Sequence, residues 1–124
     1  MWRISAQAFG LCAKIREVDQ WVRHVAYRVV EVHPELSFTA MAGAPLPHAK
    51  TTWAGAQRRR ALLNAAGVDL PGEQGAAGAA AGVDDMLDAA AAAWSARRVS
   101  TGRATCRPDP PEVFSDRLPC AIWS

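Results

Sequence analysis

Two stretches of the chain carry side chains that could do metal or acid–base chemistry. The first is Tyr27–Leu36, reading Tyr-Arg-Val-Val-Glu-Val-His-Pro-Glu-Leu, which puts Glu31 and His33 two residues apart. Side chains alternate along a strand, so these two share one side while Val30 and Val32 take the other. Pro34 cannot donate to a sheet ladder, so the strand should end at or before His33 and leave Glu31 near a rim. The second stretch is Val83-Asp84-Asp85-Met86-Leu87-Asp88-Ala89. On a helix Asp85 and Asp88 fall three apart on one face, away from the arc shared by Met86, Leu87, Ala90 and Trp94. A lone strand Glu reads equally as half of a structural ion pair, and an Asp at a helix start reads as a cap. One cap accounts for one Asp, and three acids within five residues point to a divalent cation held by oxygen ligands.

Several elements must position these groups. Ile4, Ala8, Leu11, Ile15, Val18 and Val22 step by four and three, which predicts a helix over 5–22 with Ser5 as its cap. Asp19 then pairs with Arg16 or Arg23. The Val-rich strand follows and is expected to be central, packed on both faces. A short helical turn over 35–41 comes next, stopped by Gly43, Pro45 and Pro47. A helix over 50–66 is capped by Thr51 or Thr52 and ended by Gly67. Arg59 falls on its apolar arc with Ala56, Leu62, Leu63 and Ala66, so its guanidinium must find a carboxylate or snorkel outward. Lys50, just ahead, could meet a phosphate as a point charge or simply face water. The Gly/Ala-rich stretch 68–81 reads as a flexible linker, with no Gly-Lys-Ser/Thr ending to make it a phosphate loop. The acidic helix is expected over 85–99. Residues 107–111 read as loop, and 121–123 as a short edge strand with Trp123 in a packing role.

Composition narrows the class. Half of the residues are hydrophobic, but many are Ala, which buries little area, so the core should be thin. A net charge of +2 does not by itself argue for nucleic acid. Cys12, Cys106 and Cys120 are odd in number and lack metal-type spacing, which favours free thiols in a reducing compartment. No apolar run reaches membrane-spanning length and no signal-peptide pattern opens the chain, so a cytoplasmic location with no membrane partner is expected.

The motifs Glu31–Phe38, Lys50-Thr51 ahead of a Gly- and Arg-bearing helix ending Leu62-Leu63, and Asp84–Ala89 resemble the domain of unknown function 429 family. Ile4–Phe9, Lys14–Asp19 and Leu118–Trp123 resemble it too. That family is regarded as predicted nucleases of ribonuclease H-like fold. The resemblance implies an α/β fold, helix-dominated, with one central strand and a short edge strand. Such nucleases carry their first catalytic Asp on an N-terminal strand followed by a hairpin. The expectation is therefore that residues 1–124 form one partial domain, the C-terminal half of such a fold, weakly active or inactive alone.

The activity implied is phosphodiester hydrolysis at a two-metal carboxylate site using Mg²⁺ or Mn²⁺. Glu31, Asp85 and Asp88 are expected to converge as ligands. His33, Glu35, Lys50, Arg59 and Asp84 would support them, Arg59 as a partner of the acids and His33 either orienting water or bonded at the rim. Nucleic acid is the partner this reading implies, with self-association through an exposed strand edge beside it. The alternative is a non-catalytic interaction or assembly module built on the same fold.

Overall fold

A computed structural model describes residues 5–124, apart from the side chain of Gln7. Among the described residues five helices precede most of the sheet: α1 (Ala6–Val22), α2 (Pro34–Ala42), α3 (Trp53–Ala65), α4 (Gly75–Ala80) and α5 (Val83–Ser100). The strands are β1 (Glu31–Val32), β2 (Cys106–Val113) and β3 (Pro119–Trp123). The architecture is predominantly helical with a small open sheet in the order β1-β3-β2.

Local chemistry sets the helix ends. The Ser5 hydroxyl accepts from the Ala8 amide at the start of α1, and the Thr52 hydroxyl accepts from Gly55 at the start of α3. Pro34 opens α2 at a position where no amide proton is needed, and Gly43 closes it at φ +74°. Gly67, at φ +79°, turns the chain out of α3. Helix α1 forms as its periodicity predicts, yet Leu11, Ile15, Val18 and Trp21 on it are exposed, and Ile4 lies outside the described residues. Asp19 pairs with Arg23 rather than Arg16, and Arg23 also donates to the Asp116 carbonyl in the β2–β3 turn.

The core lies where α2, α3 and α5 meet. Phe38, Leu62, Leu63, Leu87, Ala90 and Ala91 are buried there, flanked by half-buried Met41, Leu46, Val68 and Leu70. The alanines of α5 let α2 approach closely enough for Ser37 and Ser95, both fully buried, to share a 2.7 Å hydrogen bond. That bond satisfies two hydroxyls that would otherwise cost the core a desolvation penalty. Within 68–81 the chain forms α4, while Val68 and Leu70 pack against the core.

The sheet corrects three expectations. The Val-rich stretch is not the central strand: only Glu31 and Val32 pair, parallel to Ile122 and Trp123, and Tyr27 and Val29 are exposed. The reason is local, because Pro34 begins α2 and the chain has left extended geometry by then. The C-terminal residues taken for an edge strand instead form β3, which lies between β1 and an antiparallel β2. Residues 107–111, read as loop, belong to β2, whose pairing shifts register between Arg107 and Glu112. Three prolines are tolerated there because β2 is an edge strand with an irregular ladder. Trp123 packs against Arg28, whose guanidinium lies 4.5 Å from its ring centre.

Candidate functional site

The site grows from an arginine that the sequence places on the wrong side of its helix. Arg59 is 2% exposed. Its Nε donates to Glu35 Oε1 at 3.0 Å and its Nη2 to Glu35 Oε2 at 2.6 Å, a fork-to-fork pair across α2 and α3. Nη1 donates to the carbonyls of His48 and Gly55, both at 3.0 Å, and the guanidinium sits 5.5 Å from the Phe38 ring centre. A planar group with fixed donors thus binds α2, α3 and the 48–50 segment together.

That segment delivers Lys50. Its Nζ donates to Asp88 Oδ2 at 2.5 Å and lies 3.8 Å from Asp84 Oδ2, so two acids one helical turn apart on α5 share one ammonium. Asp88 Oδ1 is buried and has no hydrogen-bond partner among the described residues. The hydrogen bond to Asp88 raises the Lys50 pKa above its usual value, and the charges of Asp88, Asp84 and Glu35 act in the same direction. The Arg59 bonds hold the Glu35 carboxyl below the ordinary carboxylate range. Partial burial works against them, and the positive charges of Arg59 and Lys50 reinforce them. Acids from α2 and α5 and cations from α3 and the preceding segment therefore form one charged cluster.

The sign of the Glu35 shift sets a pH dependence. A carboxyl with a lowered folded pKa contributes stability above its unfolded value, near 4.5, and loses it as pH falls through the folded value. Thermal melts should hold steady through neutral pH with respect to this group and decline below about 4.5. Glu35→Gln should flatten that decline, and an unchanged acid limb in the variant would show that other carboxyls govern it.

The residues singled out from the sequence are only partly brought together. Asp88, Asp84, Lys50, Glu35 and Arg59 belong to the cluster. Asp85 is exposed in the first turn of α5, Glu31 is exposed on β1, and His33 is exposed at the N-cap of α2. Among the described residues no three of His, Cys, Asp and Glu gather as a metal-ligand set, so the expected convergence of Glu31, Asp85 and Asp88 is not seen. The pair that shares a cation is Asp84 and Asp88, spaced by four rather than three. The sequence did carry that signal, since a spacing of four aligns two side chains along a helix at least as well as three.

A groove opens beside the cluster. It encloses about 600 Å³ between α3, α4, the 70–72 segment and the first turn of α5, and both Lys50 and Asp84 line it. Trp53, Gln57 and Arg60 face it from α3. Trp53 is the residue that sequence reading passed over, and at 79% exposure it contributes almost nothing to the core.

These features define a helix-rich α/β domain with a mixed acid–cation cluster at the edge of a groove. The chain belongs to the domain of unknown function 429 family, whose model, described as a protein of unknown function (DUF429), matches residues 2–113. That range is nearly the whole chain, so the expectation that only the C-terminal part of the family's domain is present is overturned. No curated protein and no solved structure matches the chain. Among the described residues no helix is long and apolar enough to cross a membrane.

Proposed function

We propose that this chain is a metal-dependent nuclease of ribonuclease H-like architecture working in a reducing, cytoplasmic setting. Asp84 and Asp88 are its cation-binding pair. The observation that carries the reading is that these two carboxylates already share one positive charge, the Lys50 ammonium, at the rim of a groove.

The donor set suits a hard divalent ion. Both residues offer carboxylate oxygens, and the buried Asp88 Oδ1 lacks a donor. Mg²⁺ is commonly held by one or two carboxylates, with water and substrate phosphate completing its shell, so the pair fits one ion. Among the described residues no third acid joins Asp84 and Asp88 as a metal-ligand set, Glu35 being engaged by Arg59, so the two-ion arrangement expected from the sequence lacks a ligand. When bound, such an ion would polarise a phosphoryl oxygen and acidify a water.

The chain's own residues do the remaining work. Lys50 holds the two carboxylates around one positive charge while no other cation is near. Once displaced, its ammonium would meet the charge of a phosphodiester. The part of Arg59 is to hold Glu35 and the 48–50 segment so that Lys50 stays aimed at α5. Burial pushes the Cys106 thiol pKa up and makes it a poor nucleophile.

The test is a cleavage assay with Mg²⁺ and with Mn²⁺ on single-stranded, duplex and junction DNA and on RNA. Cleavage should require the metal and fall by at least about a hundredfold in Asp88→Asn, the scale of losing a charged group that stabilises the transition state. Absence of metal-dependent cleavage on every substrate would leave the non-catalytic interaction module as the better reading.

A further inference from the structure

We propose that the groove beside Lys50 is a binding site for an unstacked nucleotide of a single strand, with the base on Trp53 and the backbone phosphate at Arg60. The ligand class rests on the phosphodiester reading above, whereas the site rests on independent geometry.

Trp53 presents a 79% exposed indole on the wall of this groove, leaving an aromatic face open to a ligand. Trp53 does not serve the core, since the hydrophobic cluster is built by residues further along α3 and on α2 and α5. The groove's volume of about 600 Å³ lies within the span of about 300–1,000 Å³ usual for small-ligand pockets. Its walls include Leu70, Pro71 and Met86, apolar surface against which a base edge can be dried. Every base offers a π-face to an aromatic ring, so stacking on Trp53 needs no particular sequence.

Arg60, which forms no ion pair among the described residues, is the cation the groove offers an anionic ligand, since Lys50 is already held by Asp84 and Asp88. Arg60 uses one guanidinium nitrogen to donate to the Leu70 carbonyl at 2.9 Å, which anchors the side chain along the groove and leaves further N–H groups for a phosphate. Gln57, one turn along α3 from both Trp53 and Arg60, adds an amide that can bond a base edge or a phosphate. Lys50 and Asp84 close the end nearest the acid–cation cluster. A nucleotide held this way would lie with its neighbouring phosphodiester beside Asp84 and Asp88. Duplex DNA cannot offer a base to Trp53 without first unstacking it, so the site discriminates by strandedness.

The experiment measures binding apart from hydrolysis. Fluorescein-labelled oligothymidylate and a duplex of mixed sequence would be titrated with the full chain in EDTA, following anisotropy at several salt concentrations. The wild-type chain should bind the single strand in preference to the duplex. Trp53→Leu, an exposed change that should leave the melting temperature unaltered, should weaken single-strand binding by about five- to a hundredfold, the scale of one lost base stack. Trp53→Phe should retain most of the affinity, and Arg60→Gln should lower the salt dependence by about one phosphate contact. Unchanged single-strand affinity in a folded Trp53→Leu chain would overturn the proposal, as would failure of the wild type to bind. Trp53-dependent binding without metal-dependent cleavage would sink the nuclease reading and leave the site standing. Asp88-dependent cleavage with an unchanged KM in Trp53→Leu would do the reverse.

Discussion

Glu35→Ala should destabilise the protein by about 3 kcal/mol and should cost more than Arg59→Met, although the two substitutions break the same ion pair. The asymmetry follows from where each partner's charge sits. The Arg59 side chain is 3% exposed and that of Glu35 is 40% exposed. Removing Glu35 strands a guanidinium that cannot be hydrated in place, and breaking a buried pair from one side costs about 3–5 kcal/mol. The bonds from Nη1 to the His48 and Gly55 carbonyls survive and keep the loss toward the low end of that range. Removing Arg59 leaves a carboxylate that water can reach and two carbonyls without their donor, a loss of about 1–2 kcal/mol. The double variant should be more stable than Glu35→Ala alone, because no stranded charge remains. Urea unfolding of the three proteins measures this directly, and a larger cost for Arg59→Met would show that Glu35 is not the counter-ion that matters. Domains are stable by only about 5–15 kcal/mol, so either loss is a sizeable part of the whole.

Gly55→Ala should destabilise by about 2 kcal/mol or more, against the trend for glycines inside helices. In an open helix the same change would stabilise by about 0.8–1 kcal/mol, since Gly is the poorer helix former. Gly10 in α1 is such a site: a Cβ there would meet nothing within 4 Å, and Gly10→Ala should stabilise. At Gly55 a Cβ would fall onto the Ala49 carbonyl oxygen, 2.7 Å from that carbonyl's carbon and 3.0 Å from the His48 oxygen. These are backbone atoms and cannot swing aside, so the 48–50 segment must move away from α3, at the cost of an overpacked site. Moving it withdraws the His48 carbonyl from Arg59 and Lys50 from Asp88. Melting temperatures of the two glycine variants should therefore shift in opposite directions, and a stabilised Gly55→Ala would mean that the segment has room to move.

Much of the local structure was legible in the sequence, because the signals involved act within a few residues of one another. The Ser5 cap, a threonine cap at 51 or 52, the glycine stops after α2 and α3, and the inward Arg59 all follow from spacing along one helix and the needs of its ends. Three acids at the start of α5 were enough to mark a charged site. What the sequence left open was decided by groups that meet only in the folded chain. Lys50 and Asp88 are 38 residues apart, and Arg59 and Glu35 are 24 apart. Helical spacing allows Asp88 to share a face with either Asp84 or Asp85, and the position of Lys50 in the folded chain selected Asp84. Strand order was decided the same way. The Val-rich run had the better strand composition, yet β3 took the centre because it has partners on both sides, whereas Pro34 turns the earlier run into a helix after two paired residues. Strand composition describes how well a side chain suits a pleated surface, and the position of a strand in a sheet depends on which neighbours the rest of the chain supplies.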